Sequence, residues 1–142
     1  MGWCAAQPTT GLILLTNDGV LTNKLTHPSS KIEKTYIAKI EGLISGYGIK
    51  KLRDGVLIDG RKTAKAKVKL KSTDKKNNKS LVEITIHEGR NHQVRKMFES
   101  IGYDVLKLKR EKYANLDLKG LKPGEYRKLS NKEIAVLYSM VK

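Results

Sequence analysis

The sequence contains a single cysteine, Cys4, and only three histidines among 142 residues. One cysteine excludes an internal disulfide and a zinc site built on paired cysteines, and so few histidines leave any metal dependent on scattered carboxylates. No apolar run approaches the roughly 20 residues that span a bilayer. The start of the chain has no charged region followed by an apolar core, as a signal peptide would. We therefore expect no metal site, no membrane association and a cytoplasmic location.

Acidic residues are also scarce, since 14 Asp and Glu stand against 29 Lys and Arg, for a formal net charge of +15. This excess is more than solubility requires, and it indicates a polyanionic partner, with nucleic acid as the first candidate. A hydrophobic content of 39% and a charged content of 30% are typical of a folded globular protein. The length suits one domain.

One short segment combines the end of a strand with the start of a basic helix. An alternating strand over 81–88 ends at Gly89, and helical spacing then brings Val94, Met97, Phe98 and Ile101 to one face. The free N–H groups at a helix N-terminus favour a phosphate. The segment is therefore either a holder for a polyanion or a solvated basic face. Its polar residues are Arg90, Asn91, His92, Arg95 and Lys96.

The rest of the chain predicts one α+β domain over residues 9–142, with a mostly antiparallel or mixed sheet. The apolar run 11–16 predicts a central strand covered on both faces. Asn17 or Asp18 can cap a short helix in which Val20, Leu21 and Leu25 face inward. Residues 1–8 have neither charge nor periodicity and form an atypical segment. Further strands are predicted at 34–40, 56–58, 64–71, 81–87 and 105–110, and further helices at 43–53 and after a capping box at 130–133.

Two features of these strands allow more than one interpretation. Tyr36 lies in the middle of a strand beside Lys34, and it is either an ordinary aromatic strand residue or a platform for a base. The alternating lysines of the 64–71 strand either follow a phosphate backbone or form a solvated face; they are Lys65, Lys67, Lys69 and Lys71.

Several segments occur together in a specific order and spacing: Thr10 to Gly19, Leu25 to Pro28, Lys34 to Tyr36, Glu88 to Met97 and Leu121 to Arg127. As a set, they resemble the catalytic domain of bacterial ribosomal RNA pseudouridine synthases, in the group of small-subunit synthase A and large-subunit synthases B, E and F. The resemblance extends from about Thr9 to the C-terminus. Each segment alone is a weak signal, whereas the ordered set is specific.

The resemblance implies isomerisation of uridine to pseudouridine in ribosomal RNA, with no cofactor and no metal. In this family an aspartate is the nucleophile toward a uridine that is flipped out of the RNA stack. Tyr36 matches the tyrosine that stacks on the target base and assists proton removal. Arg95 matches the arginine that pairs with the catalytic aspartate. The residues implied to face RNA are Lys34, Arg90, Asn91, His92, Gln93 and Lys96.

One departure from the family pattern concerns the nucleophile itself. The family has Gly-Arg-Leu-Asp before the apolar run, and that register falls here on 3–6, which places Ala6 at the aspartate position. We therefore expect an incomplete catalytic domain, without its N-terminal part, that does not isomerise uridine. The alternative is a non-catalytic basic RNA-binding protein that retains the fold. A strand that should flank 11–16 is also missing, so we expect an exposed sheet edge and a tendency to form homodimers or aggregates.

Overall fold

The computed structural model describes residues 9–27, 30–88 and 92–141. The chain forms four helices and eight strands within these ranges. The helices are α1 (Gly19–Thr26), α2 (Gly46–Asp54), α3 (Gln93–Ser100) and α4 (Asn131–Met140). The strands are β1 (Thr9–Gly11), β2 (Lys34–Glu41), β3 (Leu57–Ile58), β4 (Arg61–Lys62), β5 (Lys67–Asp74), β6 (Lys79–Ile86), β7 (Val105–Tyr113) and β8 (Leu116–Asp117).

The main sheet is mixed, as the sequence predicts. Its strands lie in the order β1-β7-β2-β6-β5, and β8 pairs with β7. β2 is antiparallel to both of its neighbours, whereas β1 runs parallel to β7. β3 and β4 form a separate small hairpin. This arrangement of strands and helices confirms the α+β class.

The first core lies between the sheet and helices α2 and α3. Its fully buried side chains come from the sheet and from the two helices. Burial of these apolar faces against each other stabilises this part of the fold. The inward face predicted for α3 is confirmed, since Val94, Met97 and Phe98 are buried. Gly102 has a φ of 90° and ends α3, as predicted, by donating from its N–H to the carbonyl of Glu99 at 3.0 Å. Fully buried core side chains include Ile40, Leu52, Val82, Ile84, Met97 and Phe98.

The lysine strand differs from its predicted form. β5 starts at Lys67 and extends to Asp74, where a four-residue turn over 75–78 leads into β6. Val68 is buried, but Leu70 is 37% exposed, so the predicted buried face is reduced. The reason is position: β5 is an edge strand paired only with β6 among the described strands, and its register shifts between Leu70 and Ser72.

The prediction of a central strand at 11–16 is wrong. The strand β1 ends at Gly11 and, among the described strands, is paired only with β7. Gly11 has a φ of 108°, which turns the chain out of the ladder, and Ile13 and Leu15 are 64% and 81% exposed. Only Leu12 is buried within this run. The predicted dimerisation concerns the same edge and stays a prediction.

A second core joins the first and the last of the described segments. Leu12, Leu21 and Leu25 pack with Tyr113, Leu116, Leu137 and Val141. Asp18 caps α1 by accepting a hydrogen bond from the N–H of Leu21 at 3.0 Å, and Ser130 and Glu133 form the predicted capping box of α4. Val20 was predicted to face inward, but it is 63% exposed because α1 turns only its Leu21 and Leu25 side toward this core. Within the described ranges, no helix is both long enough and apolar enough to cross a membrane.

Candidate functional site

Tyr36 lies on β2, the central strand of the main sheet. It is adjacent to Ile84 on β6 and to Arg110 on β7. Strand alternation puts Tyr36 on the same face as Ala38 and Ile40, both of which are completely buried. Tyr36 itself is half-buried and packs against the first core. It is therefore the partly accessible member of a buried row, held on a rigid element, which is what a platform for a base requires.

Lys34 is on the same face of β2, at the start of the strand. Its side chain is half-buried, and its Nζ is 3.5 Å from the backbone carbonyl oxygen of Glu88. Burial lowers the pKa of the Lys34 ammonium, and the nearby positive charge of Arg110 lowers it further. Each of these effects disfavours the charged form of Lys34. An anion bound close by would stabilise that charged form. Lys34 is thus placed where an incoming phosphate would gain a charge-assisted hydrogen bond.

Arg110 and Tyr113 complete this site, although sequence reasoning did not identify them. Arg110 donates from Nε to the carbonyl of Leu12 at 2.9 Å, and its guanidinium carbon is 5.1 Å from the centre of the Tyr113 ring. Tyr113 is the neighbour of Lys34 across the β2–β7 ladder. Burial raises the pKa of the Tyr113 hydroxyl, and Arg110 opposes that rise. Their place in the site follows from the pairing of β7 with β2, and short-range sequence patterns do not reveal which strands pair.

A pocket of about 320 Å³ opens against these residues. Lys34, Arg110 and Tyr113 line one side, and Thr22 and Thr26 of α1 line the other. The two cations, Lys34 and Arg110, make this pocket suited to an anionic group.

Arg95 lies on α3 and is tied to β7. Its Nη1 donates to the carbonyl of Val105 at 3.0 Å. Its Nε and Nη2 are buried and have no hydrogen-bond partner within the described ranges. A buried donor left unpaired costs about 1–3 kcal/mol, and more when it is charged. The arrangement therefore favours an acceptor with two oxygens, such as a carboxylate or a phosphate.

Tyr36 and the β7 residue that Arg95 contacts lie apart along the β2–β7 pair. Val105, which Arg95 contacts, is the neighbour of Ile40, whereas Arg110 is the neighbour of Tyr36. Four residues of strand correspond to about 13 Å. Tyr36 and the backbone group that Arg95 contacts are thus separated by about 13 Å along the same pair of strands.

The other predicted RNA-facing residues of α3 differ in their surroundings. His92 precedes the helix with a φ of 51°. Gln93 is only 4% exposed, and its Nε2 is 3.7 Å from the sulfur of Met97, so it lies inside the fold. Lys96 makes an ion pair with Asp59 of the β3–β4 turn, with 2.6 Å between Nζ and Oδ2. Contact of these three side chains with RNA stays a prediction.

Three further predicted positions cannot be placed. Arg90 and Asn91, predicted to face RNA, and Ala6, at the expected nucleophile position, lie outside the described residues. Among the residues that are described, no cluster of three or more His, Cys, Asp or Glu side chains could hold a metal ion.

Comparison with known families gives a match over residues 7–100, to the model described as RNA pseudouridylate synthase. The chain is 52% identical over 132 residues to ribosomal large subunit pseudouridine synthase B of Bacillus subtilis (strain 168), covering 93% of this chain and 54% of that protein. It is 39% identical over 128 residues to ribosomal small subunit pseudouridine synthase A of Pasteurella multocida (strain Pm70), covering 89% and 53%.

Among solved structures, a crystal structure of a pseudouridylate synthase superposes with a TM-score of 0.79 at 35% sequence identity. The match covers 91% of this chain and 55% of that one. The chain thus spans about half the length of the curated relatives it matches.

Proposed function

This chain belongs to the RNA pseudouridylate synthase family, and from that membership we propose that it forms the part of a ribosomal RNA pseudouridine synthase that receives the target uridine. The relatives described above are named for both ribosomal subunits, so ribosomal RNA is the substrate class. The net charge of +15 supports a polyanionic partner.

The observation that carries this proposal is the pair of buried nitrogen atoms on Arg95 that have no hydrogen-bond partner among the described residues. A family nucleophile is an aspartate, and its carboxylate would accept hydrogen bonds from both of these nitrogens in a two-pronged geometry. The guanidinium would also keep that carboxylate ionised, because an adjacent cation lowers the pKa of a carboxyl group. Arg95 is thus a positioning residue for the nucleophile.

The parallel pairing of β1 with β7 gives this idea a geometric basis. Thr9 is the neighbour of Leu108, and Arg95 contacts Val105, three residues earlier on β7. β1 and Arg95 are thus both attached to β7, and an aspartate a few residues before β1 in the sequence is the partner proposed for Arg95; this chain has Ala6 there.

In the proposed reaction, uridine is flipped out of the RNA and its base stacks on Tyr36. The bond between uracil N1 and the ribose breaks, and a bond from uracil C5 to the same ribose carbon forms. The hydrogen on C5 is released, and N1 gains a proton. Tyr36 assists removal of the C5 proton, as the family resemblance implies. Lys34, half-buried two residues before Tyr36 on β2, holds a phosphate of the RNA.

The second candidate function is RNA binding without catalysis. The observation that favours it is Ala6, because a methyl side chain cannot attack the ribose or the base. On this basis the chain as written binds RNA through the same site and does not isomerise uridine.

The test is tritium release from ribosomal RNA transcripts that carry 5-tritiated uridine, together with a filter-binding measurement on the same RNA. The unchanged chain is expected to bind the RNA and to release no tritium. Release by the unchanged chain would show that the nucleophile is not at position 6.

The matched variants are Ala6→Asp and Ala6→Asn, which differ in charge and not in shape. Tritium release by Ala6→Asp alone would support the synthase assignment and the role of position 6. Binding without release in every variant would favour the non-catalytic RNA-binding protein. Failure of the unchanged chain to bind RNA would overturn both candidate functions.

A further inference from the structure

A second and larger pocket shares Lys34 with the pocket at Arg110. It encloses about 450 Å³ and is built from segments far apart in the sequence. Lys31 precedes β2, and Arg61 and Lys62 form β4. The remaining wall consists of His87 and Glu88, which follow β6. We refer to this as the basic pocket, defined by Lys31, Lys34, Arg61, Lys62, His87 and Glu88.

The charge of the basic pocket is strongly positive. Four of its lining side chains are Lys or Arg, and Glu88 is its one carboxylate. One oxygen of that carboxylate, Oε1, accepts a hydrogen bond from the N–H of Ala64 at 2.7 Å, whereas Oε2 is buried without a hydrogen-bond partner among the described residues. Because Ala64 follows β4, this bond fixes the hairpin that carries Arg61 and Lys62. The pocket is therefore a built concave surface and not a chance group of surface lysines.

Lys34 is the residue that most needs an anion in this pocket. Its amine is half-buried and meets only the carbonyl oxygen of Glu88, at the long distance of 3.5 Å, among the described hydrogen bonds. An ammonium group held in this way gains more from a phosphate than an exposed lysine does, because it has already lost much of its water.

The basic pocket is also continuous with the smaller pocket on β7. It shares Leu25, Thr26 and Lys34 with the pocket that Arg110 lines, so the cations form one continuous track from β7 past β2 to β4. A single small anion would occupy only part of that track, whereas a chain of phosphates would occupy all of it.

We propose that the basic pocket binds the ribose–phosphate backbone of RNA next to the nucleotide held at Tyr36. This inference rests on the proposed function, because it takes RNA as the ligand. It adds a contact surface formed by Lys31, Arg61 and Lys62, none of which belongs to the motifs that identify the family. Phosphate contacts of this kind fix the register of the RNA and contribute affinity without reading bases.

The experiment measures the salt dependence of binding to a fluorescein-labelled RNA stem-loop with uridines in its loop. The pocket variant is Lys31→Gln/Lys62→Gln, which removes one charge from each of two walls. The control is Lys75→Gln/Lys76→Gln, in the turn between β5 and β6, which removes the same net charge from exposed residues outside the pocket. Equal net charge makes the long-range attraction of the two variants similar.

The plot of log K against log salt concentration is expected to lose about 1–2 units of slope in the pocket variant, and less than half of that in the control. Affinity at low salt is expected to fall about tenfold in the pocket variant. Lys31 and Lys62 are exposed, so both variants should fold, which a thermal melt followed by circular dichroism will check. If the double variant does not fold, Lys62→Gln is compared with Lys75→Gln, with half the change in slope expected.

The possible results separate this inference from the proposed function. Equal slopes and affinities for the pocket and control variants, with intact binding by the unchanged chain, would overturn the basic pocket and leave the proposed function standing. No binding by the unchanged chain would overturn both. A selective loss in the pocket variant supports the basic pocket as a site for RNA backbone.

Discussion

Arg95 and Val105 join helix α3 to the first residue of strand β7 through one hydrogen bond of 3.0 Å, between Nη1 and the carbonyl oxygen. This bond orients the guanidinium, and its two other nitrogens are left buried without a partner among the described residues. The structure therefore retains a cation whose remaining hydrogen bonds must come from another group. The first prediction concerns that group.

We expect Ala6→Asp to raise the free energy of unfolding by about 1–3 kcal/mol, because its carboxylate would satisfy the buried donors of Arg95. In an Arg95→Met background the same change should contribute no more than about 0.5 kcal/mol, giving a coupling energy of about 0.5–3 kcal/mol. Urea titrations of the four proteins measure this cycle.

The matched control for that cycle is Ala5→Asp, which adds the same charge one residue earlier. It should show no coupling to Arg95. A coupling of equal size for both aspartates would mean that Arg95 responds to charge in general and does not recognise position 6.

The second prediction concerns Tyr36 as a platform for a base. Tyr36→Ala is expected to weaken binding of a uridine-containing RNA loop by about 1–3 kcal/mol, because stacking is lost, and Tyr36→Phe should retain most of the affinity. Fluorescence anisotropy measures the affinities. Tyr47→Ala serves as the control, because Tyr47 is a 69% exposed aromatic residue on α2. Equal losses at Tyr36 and Tyr47 would remove the special role of Tyr36.

Gly11 gives the third prediction, because its conformation sets the end of β1. A methyl group added there would lie 2.2 Å from the carbonyl oxygen of Arg110, at a φ of +108°. We expect Gly11→Ala to lower the free energy of unfolding by about 3 kcal/mol or more. Gly60 has a φ of +81° with nothing within 4 Å of the added methyl, so Gly60→Ala should cost only about 1–2 kcal/mol. Urea denaturation compares the two, and equal losses would contradict a close approach at Gly11.

The fourth prediction is a pH dependence that arises at the start of α4. Hydrogen bonds from Arg127 and from the backbone of Ser130 lower the pKa of Glu133 from 4.5 to about 2. A carboxylate with a lowered pKa contributes stability above the pKa of the unfolded chain, and that contribution is lost as pH falls toward the folded value. The difference in unfolding free energy between the unchanged chain and Glu133→Gln should therefore be constant above about pH 5 and shrink between pH 4.5 and 2.

Urea titrations at several pH values measure that difference, with Glu99→Gln, at the exposed end of α3, as the control. A difference that stays constant down to pH 2 would show that the bond between Arg127 and Glu133 does not form in solution.

Several elements follow from neighbouring residues alone. The cap of α1 at Asp18 and the capping box at Ser130 and Glu133 are confirmed, because each depends on groups only three residues apart. The alternation that predicts β2 and the inward face of α3 are confirmed for the same reason. The prediction of a central strand at 11–16 failed because continuous hydrophobicity does not distinguish a central strand from a short strand that ends at Gly11.

By itself, the sequence determined the family and the α+β class, since ordered motifs and local periodicity contain that information, and it selected Tyr36 and Arg95 as the candidate catalytic residues. Only the tertiary structure decided that Arg110 is adjacent to Tyr36 across a strand pair, that Arg95 has two buried nitrogens without a partner among the described residues, and that Lys31 and Lys62 line the same pocket as Lys34. The reason is that strand pairing and burial depend on contacts between residues far apart in the chain, and these exist only once the sheet has formed.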